Sequence, residues 1–180
     1  MNTLDCIATR RSHRKFMAKP IEQEKLDIIL KAAQASPISK SYFKGYQISV
    51  VRNPQVLADF DKTTAEAWGT PQAHLFYSAP TVIVISAKPL DPQYHVFACD
   101  CGCIMENMQL AALELGLGSV FIWGILNRIP QNEAFNAALK LPDGFRPECL
   151  LALGYPQEGS VPQARSIEDV PDRLAVNFVD

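Results

Sequence analysis

The stretch from Tyr94 to Leu115 sets the strongest limit on how this chain can fold. Val96, Phe97, Ile104, Met105, Met108, Leu110, Leu113 and Leu115 fall nearly all the way round a helix instead of on one stripe. A helix apolar on most faces must be covered on most faces, which a single thin layer does not provide. We therefore expect it to be the central helix and also an oligomer contact. Gly116-Leu-Gly-Ser ends it with the residues a left-handed cap needs.

Other elements fall into place around that helix. Asn2 or Thr3 can cap a first helix through about Arg11, and Ile21, Leu26, Ile29, Leu30 and Ala33 have helical spacing over 21–35. A hydroxyl-rich loop over 36–44 leads through Gly45 into an alternating strand, Tyr46-Gln-Ile-Ser-Val-Val. Pro54 opens a helix toward Trp68, and Gln72 to Ser78 reads as one or two helical turns, with no recognisable partner for His74 or Tyr77. Thr81-Val-Ile-Val-Ile-Ser is the continuous β-branched run of a strand buried on both faces. Lys88-Pro-Leu-Asp-Pro is a turn, and Val120-Phe-Ile-Trp is a short strand before Gly124. Pro130 to Leu139 forms a helix with Ala134, Phe135 and Ala138 on one face, and Pro147 to Leu153 forms a strand. The tail ends in a strand-like run, Leu174 to Val179, of the kind that something usually ties down. Helices precede the first strand, so the class is α+β, with a three-layer α/β sandwich as the alternative.

The 180 residues make one domain, 1–180, large enough to fold without staples. A net charge of -2 leaves no electrostatic footprint for nucleic acid or an anionic membrane. Asp5 and the lack of an early apolar core argue against a secretory signal, and no apolar run approaches a membrane span. The five cysteines are an odd number without framework spacing, which points to a reducing cytoplasm.

Within this neutral background Arg10-Arg-Ser-His-Arg-Lys-Phe is a local concentration of cations. If the chain runs extended there, Arg10, Ser12 and Arg14 alternate onto one side and suit a phosphate; basic residues complementing a helix C-terminus and staying solvated are the alternative. Cys99, Cys101 and Cys103 lack a metal-binding spacing and read as packed thiols. No nucleophile elbow, Walker loop or dinucleotide fingerprint occurs, and no metal site is expected. Asp100 and Glu106 on the long helix read as capping or interface hydrogen-bonding carboxylates, with buried functional carboxylates as the alternative.

Taken in order, several segments resemble the FMN-dependent nitroreductases. They are Arg10 to Phe16 after the first helix, Ala35-Ser-Pro before an aromatic-led strand, and Pro80-Thr-Val-Ile-Val-Ile. They continue with Asp100, Glu106-Asn-Met-Gln-Leu-Ala-Ala-Leu-Glu-Leu-Gly-Leu-Gly-Ser and Leu151-Ala-Leu-Gly-Tyr-Pro. The resemblance implies a central, mostly antiparallel sheet flanked by helices in an intertwined homodimer. Two FMN sites would lie at its interface, and the tail from about 157 to 180 would embrace the partner. It places Arg10, Ser12 and Arg14, with the adjoining Arg11, on FMN, and Pro37, Ile38 and Ser39 over the flavin from the other subunit. It sets Ile122, Trp123 and Gly124 beside the ring, with Arg165 completing the phosphate site. The family's loop continues Asn-x-Gln-Pro-Trp, whereas Ser41-Tyr-Phe-Lys-Gly-Tyr46 stands here, making Ser41 and Lys44 the substitutes for the amide contacts.

The same resemblance implies a cytoplasmic oxidoreductase. NADH or NADPH would give hydride to flavin N5 and leave, and a nitroaromatic, quinone or related small acceptor would then take the reducing equivalents. The flavin would carry the chemistry, so no catalytic acid or base is expected from the chain. Arg14 would supply charge near N1, and the Trp123 to Gly124 backbone a donor near N5. The rival readings are a flavin-binding module with little turnover, a different flavin reaction on the same fold, and a flavin-free interaction protein.

Overall fold

The computed structural model describes residues 1–88, 96–126 and 133–179, apart from the side chains of Glu133 and Ala134. The expected turn at Lys88 to Pro92, the start of the long helix at Tyr94 and the start of the next helix at Pro130 therefore lie wholly or partly outside the described residues. The elements in order are α1 (Thr3–Thr9), α2 (Gln23–Gln34), β1 (Tyr46–Val51), α3 (Pro54–Trp68), β2 (Thr81–Ala87), α4 (Val96–Glu114), β3 (Gly118–Ile122), α5 (Glu133–Leu139) and β4 (Arg146–Gly154). The strands form one sheet in the order β1-β2-β4-β3, and every neighbouring pair is antiparallel. The class is α+β.

β2, whose seven residues are all buried, lies between β1 and β4. Its unbroken β-branched run suits that position, because both faces of an interior strand are covered. On β4, Leu150, Leu151, Ala152 and Leu153 are completely buried. α4 packs across the sheet and against α2, burying Met105, Met108 and Ala112 completely. Each of these methionines contributes about 1.5–3 kcal/mol through removal of its side chain from water. α4 is not buried all the way round, however: Val96, Cys99, Cys103 and Glu106 are exposed. The packed-thiol reading thus holds for Cys101 and fails for Cys99 and Cys103, because helical spacing turns them to the side away from the sheet.

Local signals explain most boundaries. The Asn2 side chain accepts from Asp5 N at 2.9 Å and starts α1. Asn53 does the same for Gln55 and Val56, Pro54 fills the first helical position, and Gly69 ends α3 in a left-handed conformation. Other boundaries differ from the sequence reading. α1 stops at Thr9 and the chain turns extended at Arg10, two residues before the expected end. α2 starts after Ile21, which is buried ahead of the helix. Gln72 to Ser78 forms turns and no helix, because Asp61 Oδ1 accepts from Leu75 N at 2.6 Å and Phe76 N at 3.1 Å. Leu174 to Val179 joins no strand, and Leu174, Val176, Phe178 and Val179 are exposed.

Gly118 shows how tightly the N-terminal stretch is fitted to the sheet. A Cβ there would stand 2.7 Å from the His13 ring. His13 is buried and itself in contact with Phe16, so the ring has little room to retreat. Gly118→Ala should cost about 1–3 kcal/mol by overpacking, seen as a lower denaturation midpoint at unchanged m-value.

Candidate functional site

The Arg10 to Phe16 stretch leaves α1 extended and runs alongside β3. Ser12 bridges Ser119 in parallel, and His13 N donates to Ser119 O at 2.8 Å. Its far side is held by the segment after β4. Phe16 bridges Pro156, Met17 N donates to Tyr155 O at 2.9 Å, and Gln157 N donates to Lys15 O at 2.9 Å. His13 Nε2 donates to Lys15 O at 2.6 Å and lies 3.3 Å from Ser160 Oγ. The basic stretch is thus clasped from two sides and its backbone is fixed.

The cations on it have different surroundings. Arg10 Nε lies 3.1 Å from Glu106 Oε1, so Glu106 is an ion-pair partner on α4 and not a buried carboxylate. Arg11 donates through Nη2 to Ser160 O at 3.1 Å. Arg14 lies over the Tyr77 ring, 5.7 Å from its centroid. Arg10, Ser12 and Arg14 therefore lie along one extended segment, but Arg10 and Arg14 converge on no common protein group among the described residues. Tyr77 gains a partner that the sequence did not indicate, and so does His74, whose Nδ1 lies 3.2 Å from Asp61 Oδ2.

Arg165 is brought to this stretch from a distance of 156 residues in sequence by Thr9. Arg165 N donates to Thr9 Oγ1 at 3.0 Å, and that hydroxyl donates back to Arg165 O at 3.4 Å. The Arg165 guanidinium donates to the backbone oxygen of Asp169 at 3.0 Å. Among the described residues neither Arg14 nor Arg165 has a carboxylate partner. Such a donor set suits an anion with several oxygens, because guanidinium groups stay charged and match those oxygens geometrically.

β3 carries the chain from Ser119, beside Ser12, to Ile122, Trp123 and Gly124. Ile122 is buried, whereas Trp123 is 63% exposed and presents its ring to solvent. A Cβ on Gly124 would lie 4.0 Å from Trp68, so the end of α3 reaches this edge. A cavity of about 320 Å³ opens beside Trp123, lined also by Phe121, Glu148, Cys101 and Cys149. Hydrogen bonding with Cys101, together with burial, holds the Cys149 thiol protonated, well above its ordinary range. Burial raises the Glu148 carboxyl, and Arg146 opposes that shift from 2.6 Å. Neither group is poised as a thiolate nucleophile or an ordinary surface carboxylate.

The loop holding Pro37, Ile38, Ser39 and Ser41 lies elsewhere on α4. Asp100, buried, accepts from Ser39 N through both oxygens at 3.1 Å and from the Tyr46 hydroxyl at 2.6 Å. Burial and the neighbouring Asp100 push the Tyr46 phenol far up, keeping it a donor. Asn107 Nδ2 donates to Ser36 Oγ at 2.9 Å. Pro37 and Ser41 are exposed, Ile38 is half-buried, and Lys40 and Ser41 both take left-handed backbone angles. The Lys44 ammonium lies 5.5 Å from the centre of the Tyr42 ring, on its own loop. Asp100 and Glu106 are six residues apart, which is roughly 9 Å along α4 and about 120° around it. The loop and the Arg10 segment therefore flank different sides of the helix within one chain.

The model of the Nitroreductase family matches residues 7–155. The chain belongs to the nitroreductase family. A Methanothermobacter thermautotrophicus protein provisionally named as an NADH dehydrogenase/NAD(P)H nitroreductase is 30% identical over 97% of this chain and 86% of its own length. Among solved structures, a nitroreductase with bound FMN from Bacteroides fragilis superposes with a TM-score of 0.83 over the whole of both chains, at 26% identity. An FMN-dependent nitroreductase from Clostridium difficile has a TM-score of 0.74 and 30% identity over 98% of this chain and all of its own. The nitroreductase fold thus carries the segments described above. No helix among the described residues is long and apolar enough to cross a membrane.

Thr9, His13, Asp61 and Tyr77 were missed as organisers of the site. Their roles depend on contacts between residues far apart in sequence or within an irregular turn. Asp100→Ala should release the 36–41 loop at a cost of about 1.5–3 kcal/mol, the usual worth of hydrogen bonds to a charged group. The measurement is tryptic cleavage after exposed Lys40, which should accelerate at least roughly tenfold if the loop opens locally.

Proposed function

We propose that this chain is an FMN-dependent oxidoreductase that takes reducing equivalents from NADH or NADPH and passes them to a small acceptor such as a quinone or nitroaromatic compound. The carrying observation is the joining of Arg165 to the Arg10 to Arg14 stretch by Thr9, on a segment also bridged to β3. One fixed strip of backbone thereby links four guanidinium-bearing positions, Arg10, Arg11, Arg14 and Arg165, to the exposed Trp123 and Gly124. Charged donors at one end and an aromatic, glycine-bearing edge at the other fit a molecule with a phosphate and a planar ring system. The FMN-bound relative from Bacteroides fragilis, alike over its whole length, supports the same reading.

When bound, FMN would supply the capacity to accept a hydride and to hand electrons on. The chain would hold and orient it. Arg10, Arg11, Ser12 and Arg165 would bind the phosphate, with Glu106 fixing the Arg10 Nε edge so that its other nitrogens can face an anion. Arg14, braced against Tyr77, would place positive charge beside the ring's pyrimidine end. Ile122 and Trp123 would flank the ring, and the Trp123 to Gly124 backbone would lend an N–H. Pro37, Ile38, Ser39 and Ser41, turned to another side of α4, would cover the flavin of a second copy in a homodimer.

Purified protein should absorb as a flavoprotein, release FMN on denaturation, bleach with NADH or NADPH and recolour with a quinone or nitro compound. Colourless protein that takes up no FMN on reconstitution would overturn the reading. Arg14→Ala should raise the FMN dissociation constant about 10–100-fold, as expected for loss of a charge-assisted contact. An unchanged constant would remove Arg14 from the site.

A further inference from the structure

We infer that a second groove, outside the proposed flavin site, binds a small amphipathic carboxylate, with its charged end at Arg52 and Thr81 and its apolar body along α3. The groove has a volume of about 460 Å³. One wall is a face of α3, Pro54, Leu57, Ala58 and Asp61, at the spacing that aligns side chains along a helix. The lining continues along the chain from His74 through Phe76, Ser78 and Pro80 to Thr81, and includes Ile21. Its size and apolar lining, with a few polar groups at fixed places, are those of a small-molecule site.

The polar groups give the groove a direction. β1 and β2 pair with Val51 opposite Val82, and one further step in that register sets Arg52 opposite Thr81 on the same face. Thr81, 1% exposed, lines the groove at this point. Arg52 is exposed; its Nη1 donates to Gln23 Oε1 at 3.1 Å, and no carboxylate pairs with it among the described residues. A hydroxyl and a guanidinium that keeps nitrogens free of Gln23 therefore lie toward one end. The groove's one carboxylate among these lining residues, Asp61, lies at the other end, roughly 10 Å along α3 from Pro54. It is already occupied by Leu75 N, Phe76 N and His74 Nδ1. An anion at the Arg52 end meets the guanidinium and avoids Asp61, whereas a cation there would be repelled by Arg52.

The test titrates FMN-saturated full chain with 1-naphthoate and with its neutral counterpart 1-naphthylmethanol by calorimetry. The naphthoate should bind once per chain with a dissociation constant on the order of 0.1–1 mM, as ligand efficiency sets for a molecule of this size. The alcohol should bind at least about fivefold more weakly, Arg52→Leu should weaken the acid to a similar degree, and Ala58→Trp, a filling substitution at an exposed position, should abolish binding. Absence of binding, equal binding of acid and alcohol, or binding unaffected by either substitution would overturn the proposal. Binding that emerges only when Leu174 and Phe178 are both changed to Ser would also overturn it, by showing that the tail of a second copy fills the groove.

Discussion

Burial of α4 is the constraint on which the other features depend. Met105 and Met108 commit the helix to the sheet, and its few polar side chains then fall where irregular backbone has to be held. Asp100 holds Ser39 and Tyr46, Asn107 holds Ser36, Glu106 holds Arg10, and Gln109 Nε2 donates to Ser119 Oγ at 3.4 Å. Ser36, Ser39 and Arg10 belong to segments without regular structure of their own, and Tyr46 and Ser119 open or lie in the strands that those segments adjoin. A buried polar group must be hydrogen-bonded, so these side chains are both satisfied and used as anchors.

The same helix separates the two halves of the proposed flavin site. The Arg10 strip, bridged to β3 and tied to Arg165, lies on one side; the Pro37 to Ser41 loop, hung from Asp100, lies on another. A rigid helix does not let them close on one ligand within a chain. In the proposed two-fold assembly each copy would present its loop to the strip of the other, and the separation would then be a reason for two copies to pair.

Much of this was legible from residue order. Periodicity located α2 and α3, a run apolar on nearly every face located α4, and the unbroken run from Thr81 identified the interior strand, because burial on both faces removes alternation. The ordered basic stretch, the Pro37 loop and the Gly-Leu-Gly-Ser turn pointed to a nitroreductase, and the family match covers them. What stayed hidden rests on long-range contacts. Nothing near Thr9 announces that its hydroxyl will meet Arg165, and the turn carrying Tyr77 is set by Asp61 on a different element. The exposure of Cys99 and Cys103 was missed because composition shows how apolar a helix is, not which side its sheet will cover.

The sharing of one site between two chains is most directly tested by mixing two defective forms. One carries Arg10→Ala and Arg14→Ala; the other carries Pro37→Asp and Ser41→Asp at exposed loop positions. Each alone should hold little FMN. If strip and loop come from different chains, a purified mixed dimer has one intact site and one doubly damaged site, and should hold about half an FMN per chain. A mixed dimer as empty as its parents would mean that strip and loop serve the same chain, contradicting the arrangement around α4.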